Sequence, residues 1–131
     1  MAIDDSLTHE IIGAAMEVHN GMGHGFQEIV YQRALAIELK DRDIQFRREQ
    51  EMPLFYKHHE AGTRRADFIV EGKGMVEIKA LVGLEDVPLA QGLNYLAAYN
   101  PDIGLLLNFR ATKLQFKRLF RKSVSRNISS C

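Results

Sequence analysis

The sequence holds one cysteine, Cys131, at its last position, so it can form neither an internal disulfide nor a cysteine-based zinc site, and a reducing compartment is expected. No apolar run approaches the roughly 20 residues that span a bilayer. The opening Met1-Ala2-Ile3-Asp4-Asp5 also lacks the basic stretch and apolar core of an export signal, so a cytoplasmic protein with no membrane partner is expected. Net charge is absent too, because 17 Lys and Arg balance 17 Asp and Glu, which excludes a uniformly basic nucleic-acid coat. The balance conceals a gradient. There is no Lys or Arg before Arg33 and no acid after Asp102, where Arg110, Lys113, Lys117, Arg118, Arg121, Lys122 and Arg126 make a positive pole. Repeats, linkers and low-complexity blocks are missing. The glycines at 21, 23 and 25 lack the Lys-Ser/Thr of a P-loop and the preceding strand of a dinucleotide fold. What remains is 131 residues with 46% hydrophobic content, enough for one core. One domain over residues 1–121 is expected, with 122–131 as a flexible basic and polar tail.

Along the chain, Leu7, Ile11, Ala14, Ala15 and Val18 recur at helical spacing behind the capping candidates Asp5 and Ser6, with a stop at Asn20-Gly21. After the glycine-rich link, Val30, Tyr31, Ala34, Leu35 and Ile37 mark a second helix over 28 to about 40. The apolar period then changes to two. It predicts a long bent strand over 44–56, a polar turn at 58–62, a strand over 65–70, a tight turn at Gly72-Lys73-Gly74 and a strand over 75–80. Asp86 and Pro88 open a third helix with Leu89, Leu93, Leu96 and Ala97 inward, before a buried strand over 103–109 and an edge strand through Leu114 and Phe116. The order helix, helix, three strands, helix, two strands predicts an α/β fold, a mixed central sheet of about five strands flanked by helices.

Chemistry concentrates in one place. Glu77 and Lys79, two apart on a strand, leave the same face while Val76 and Ile78 take the other. Pairing Val70 with Met75 puts Asp67 near Ile78, and a small change of register sets it beside Glu77. Two carboxylates sharing a patch repel unless a cation lies between them, and oxygen donors suit Mg²⁺ or Mn²⁺. By spacing alone the same trio reads more readily as the solvated charge of an edge strand. On helices, Glu28 and Tyr31 share a face at three apart and Gln91 and Tyr95 at four apart. Core packing explains the two tyrosines as well, and the helix macrodipole explains Glu28. His19 and His24 flank the glycine link. The adjacent His58 and His59 point apart on extended chain and read as surface. Lys113, Lys117 and Arg121 suit either a phosphate backbone or the charged face of an edge strand.

The run Arg65-Ala66-Asp67-Phe68-Ile69-Val70, then Val76-Glu77-Ile78-Lys79-Ala80, then Gln91 and Tyr95, resembles the PD-(D/E)XK nuclease superfamily, especially its RecB-like branch. Gly25-Phe26-Gln27-Glu28-Ile29-Val30-Tyr31 is similar to the signature of the GxxExxY family, a bacterial set placed in that superfamily. The resemblance runs over roughly residues 6 to 120 and implies a restriction-endonuclease-like core. It implies Asp67, Glu77 and Glu28 as metal ligands, Lys79 as the catalytic lysine, and Gln91 and Tyr95 as substrate-binding or supporting residues; Tyr31 on the face of Glu28, His19 beside the glycine link and Arg65 beside Asp67 are further candidates for that supporting role by position alone. His24 departs from the family's link. The expected function is a Mg²⁺- or Mn²⁺-dependent nuclease, acting on DNA rather than RNA, with self-association able to extend its substrate surface. The alternative is a catalytically silent nucleic-acid-binding or assembly module on the same scaffold.

Overall fold

The computed structural model describes residues 5–80 and 103–120. Helix α1 (Asp5–Met22) presents Leu7, Ile11, Ala14, Ala15 and Val18, and helix α2 (Glu28–Asp41) presents Tyr31, Leu35 and Leu39, to one shared core. The first helix passes through its expected stop at Asn20-Gly21. It ends instead before Gly23, whose φ of 78° is the left-handed conformation that glycine adopts without strain, and whose amide donates to the His19 carbonyl at 2.8 Å.

The sheet holds strands β1 (Phe46–Tyr56), β2 (His59–Val70), β3 (Gly74–Lys79), β4 (Ile103–Asn108) and β5 (Gln115–Phe120), and their spatial order is their order in the chain. Neighbours are antiparallel except β3 and β4, which run parallel. The expected mixed α/β sheet of five strands flanked by helices is thus the one found. The chain joining the two parallel strands falls in residues 81–102, so the expected third helix, with Gln91 and Tyr95, lies outside the described residues, as do Arg121 and the 122–131 tail.

One strand boundary differs from expectation. β2 begins at His59, six residues before the expected 65, because the turn between the first two strands needs only Lys57 and His58. Both adopt positive φ, 48° and 69°, the backbone that closes a two-residue hairpin and that sequence usually announces with Asn-Gly. The bend expected in β1 is present as a positive φ of 51° at Glu49 and a register shift between Leu54 and Phe55.

Phe68, Val70, Val76, Ile78, Leu105 and Leu107 face the two helices. Ile69, Met75, Glu77 and Leu106 alternate with them, point the other way and are buried as well, which accounts for the near-continuous apolar runs in the central strands. Among the described residues no helix is long and apolar enough to cross a membrane.

Candidate active site

The ladder between β2 and β3 consists of Val70 with Gly74, Ile69 with Met75 and Phe68 with Val76, one residue away from the expected pairing of Val70 with Met75. Continued, this register sets Asp67 opposite Glu77. The ladder stops there, and the two strands part. Carboxylates replace the missing backbone bonds: the Ile78 amide donates to Asp67 Oδ2 at 2.7 Å, and the Asp67 amide donates to Glu77 Oε2 at 3.2 Å. Each side chain thereby closes the amide that strand separation would leave orphaned.

The other oxygen of Asp67 is held from α2. Gln32 Nε2 donates to Asp67 Oδ1 at 3.2 Å, and the Gln32 carbonyl accepts from Arg48 of β1, at 2.7 Å from Nη2 and 3.2 Å from Nε. Because Arg48 can only donate, it fixes the orientation of the Gln32 amide and turns its NH₂ towards the carboxylate. Glu28, one helical turn before Gln32, accepts from the Ala80 amide at 3.2 Å, which brings the start of α2 to the end of β3.

Electrostatics follow from burial. Glu77 is 3% exposed, and its carboxyl is pushed up to about 8, first by burial and then by the charge of Asp67. The Asp67 amide and the positive charges of Lys79 and Arg64 oppose the rise. Asp67 is raised as well, chiefly by burial, against the Ile78 amide and Lys79, while the charges of Glu28 and Glu49 add to the rise.

The remaining expected site residues divide. Tyr31 is fully buried, donates to the Gly23 carbonyl at 2.6 Å, accepts from the Phe26 amide at 3.3 Å and stacks on Phe109 at 4.5 Å. It therefore pins the glycine link to the core, and no bond in the described structure carries it to the carboxylates. His19 is buried too, with Nε2 on the Ala111 carbonyl at 2.9 Å and its ring near Phe109, so it fastens the segment after β4. Arg65 is exposed and reaches Glu49 at 3.4 Å, whereas its neighbour Arg64 is the arginine whose charge is felt at Glu77. Lys113 is exposed between β4 and β5, and Lys117 lies half-buried on β5 opposite Leu106. His58 and His59 are exposed at the hairpin turn.

Sequence alone does not single out Gln32 and Arg48. Gln32 stands four after Glu28, the spacing that puts two side chains on one helix face, so a signal for it is present. Nothing local marks Arg48.

A family model described as the PD-(D/E)XK nuclease superfamily matches residues 5–119. The chain belongs to that superfamily. No curated protein matches the sequence. Among solved structures, an alkaline exonuclease, LHK-Exo from Laribacter hongkongensis, is similar at a TM-score of 0.53 and 10% identity over 99% of this chain and 79% of its own. The structure of LHK-Exo in complex with dAMP is similar at 0.51 and 10% identity, over 88% and 81%. The crystal structure of SSO0001 matches at 0.50 and 17% identity over 77% of this chain, which spans only 55% of SSO0001. At such identities these likenesses describe the fold.

PD-(D/E)XK nucleases generally use divalent metal ions. The donors present fit one. Asp67 and Glu77 are hard oxygen donors, both held above their ordinary pKa by burial, and Glu77 also by the charge of Asp67, so a cation would relieve both penalties at once. Among the described residues no group of three His, Cys, Asp or Glu side chains closes around one point, so within them an ion would be held by the two strand carboxylates alone.

Proposed function

We propose that the protein is a metal-dependent nuclease hydrolysing phosphodiester bonds, with DNA as substrate in preference to RNA, and that it belongs to the GxxExxY set on the RecB-like branch of its superfamily. The observation that carries this reading is the gap between β2 and β3, where Asp67 and Glu77 lie side by side with Lys79 two residues further along the same face. The positive C-terminal charge and the similarity to an exonuclease solved with dAMP support a nucleic-acid substrate, DNA in particular.

Mg²⁺ or Mn²⁺ held by Asp67 and Glu77 would supply Lewis acidity, polarising the phosphate and lowering the pKa of a water. The protein's own groups do the rest. Lys79 directs an ammonium at the charge that accumulates on a pentacovalent phosphorus and orients the attacking water. Gln32 and Arg48 keep the Asp67 carboxylate in one rotamer, and Glu28 anchors the end of β3, so that this constellation is set before substrate arrives. The same reading takes residues 1–121 as a single domain working in the cytoplasm, with self-association able to enlarge its substrate surface.

Incubation of the purified protein with linear, circular and single-stranded DNA and with RNA, each with Mg²⁺ or Mn²⁺, tests the proposal. Cleavage that falls by about 10²- to 10³-fold in Lys79→Ala is expected. Equal products from parent and variant, or no cleavage of any substrate, sink it.

A second reading, a silent nucleic-acid-binding or assembly module, draws on one observation: both central carboxylates already serve backbone amides, which is a structural occupation. Nucleic-acid binding that survives Asp67→Asn and Glu77→Gln in a protein without turnover would support it.

A further inference from the structure

Arg48, which bonds Gln32, borders a groove of about 640 Å³ between α2 and the start of β1, whose lining includes Arg33, Ile37, Lys40, Asp43 and Phe46. Its walls differ in kind. Arg33 and Lys40 are exposed and seven residues apart on α2, two turns and roughly 10 Å along the helix, while Arg48 closes the end nearest the site. Between these cations lie Ala36, Ile44, Phe46 and Ile37, the last 63% exposed although Leu35 and Leu39, two residues to either side of it, are fully buried. One acid, Asp43, stands against three cations.

We propose that this groove binds a single-stranded segment of nucleic acid, its phosphates on Arg33, Lys40 and Arg48 and its bases on Ile37 and Phe46. The proposal deepens the nuclease reading and rests on it for the identity of the ligand. Single strands are favoured over duplex by the apolar floor, because unpaired bases have faces to lay on Ile37 and Phe46, whereas paired bases are stacked on one another and offer a groove only their edges. Continuity with the site is physical: Arg48 lines the groove and bonds Gln32, which bonds Asp67. A strand lying there would be led to the scissile position by the residue that also orients the carboxylate.

Fluorescence anisotropy of a labelled oligothymidylate, measured in EDTA so that no turnover occurs, reads this directly. Binding should weaken by at least tenfold in Arg33→Ala/Lys40→Ala, and the slope of log Kd against log salt should fall by about 1.4, roughly 0.7 for each single-strand phosphate that is no longer neutralised. Ile37→Glu should weaken binding of the oligonucleotide more than that of a duplex of equal length. Thermal melting confirms folding, and the two single alanine variants give the same direction at half the effect if the double variant melts early. Parental Kd and salt slope in the variants would overturn the proposal, as would failure of the parent to bind. A duplex bound as tightly through the same residues would overturn the single-strand assignment. Absence of cleavage in the nuclease assay with groove binding intact would remove the nuclease reading alone.

Discussion

At the residue scale, Glu77 carries the largest consequence. In the unfolded chain a glutamate releases its proton near 4.5, whereas in the folded protein without metal it does so at about 8. Between those values the native state holds a proton that the unfolded state has lost, so raising the pH favours unfolding. Below 4.5 both states are protonated and above 8 both are ionised, which confines the effect to that window; Asp67 shifts in the same direction. The unfolding free energy of the metal-free protein, read from denaturant titrations, is expected to fall between pH 5 and 8 by an amount on the order of a few kcal/mol, each unit of displacement being about 1.4 kcal/mol. Glu77→Gln should flatten the profile and be the more stable protein at pH 8. A parent profile as flat as the variant's would contradict the burial argument. The placement of Glu77 and Lys79 on one face is legible from period two alone. The register lies one residue from expectation, because Glu71 closes its turn with a positive φ of 55° that sequence does not announce. Gln32 and Arg48 are hidden for another reason: their partners are distant in the chain and meet only once α2 lies across the strands.

At the scale of elements, the glycine link between α1 and α2 is held by one hydroxyl. Tyr31 closes both the Gly23 carbonyl and the Phe26 amide, and its ring stacks on Phe109 at the end of β4. Tyr31→Phe keeps the stacking and leaves two backbone groups unbonded, so a loss of about 1–2 kcal/mol is expected in urea unfolding. Hydrogen exchange should quicken at Phe26 in particular. If stability and exchange match the parent's, the hydroxyl is not what fixes the link. Here the sequence is readable in outline and ambiguous in role, since an aromatic at helical spacing serves a core or a site equally well. Tyr31 shows the core contact, and its hydroxyl is already committed to the backbone. The early start of β2 is unreadable because Lys57-His58 closes a hairpin without the glycine or asparagine that usually signals it.

For the whole molecule, the fold is a sheet whose strands follow chain order, with helices supplying the core on one face and the carboxylates between β2 and β3, the antiparallel pair next to the one parallel pair. A divalent cation that binds only the native arrangement should raise the melting temperature as its concentration rises, stabilising the native state by about 2.7 kcal/mol at one hundred times Kd. Mg²⁺ and Mn²⁺ should both act at pH 8, where the carboxyl proton of Glu77 no longer competes strongly, and more weakly at pH 6. Asp67→Asn should abolish the shift. An equal shift in that variant would put the ion elsewhere.

The bonds that close the parted strands also bear on how such a protein ages. A chain with this fold that does not cut would still depend on Asp67 to cover the Ile78 amide, and on Glu77 to cover the amide of Asp67. Lys79, a donor with nothing to offer an N–H group, has no such duty and would be the first to drift. Under the proposed nuclease reading the lysine, rather than the aspartate, is the position that tells a working blade from a blunt one.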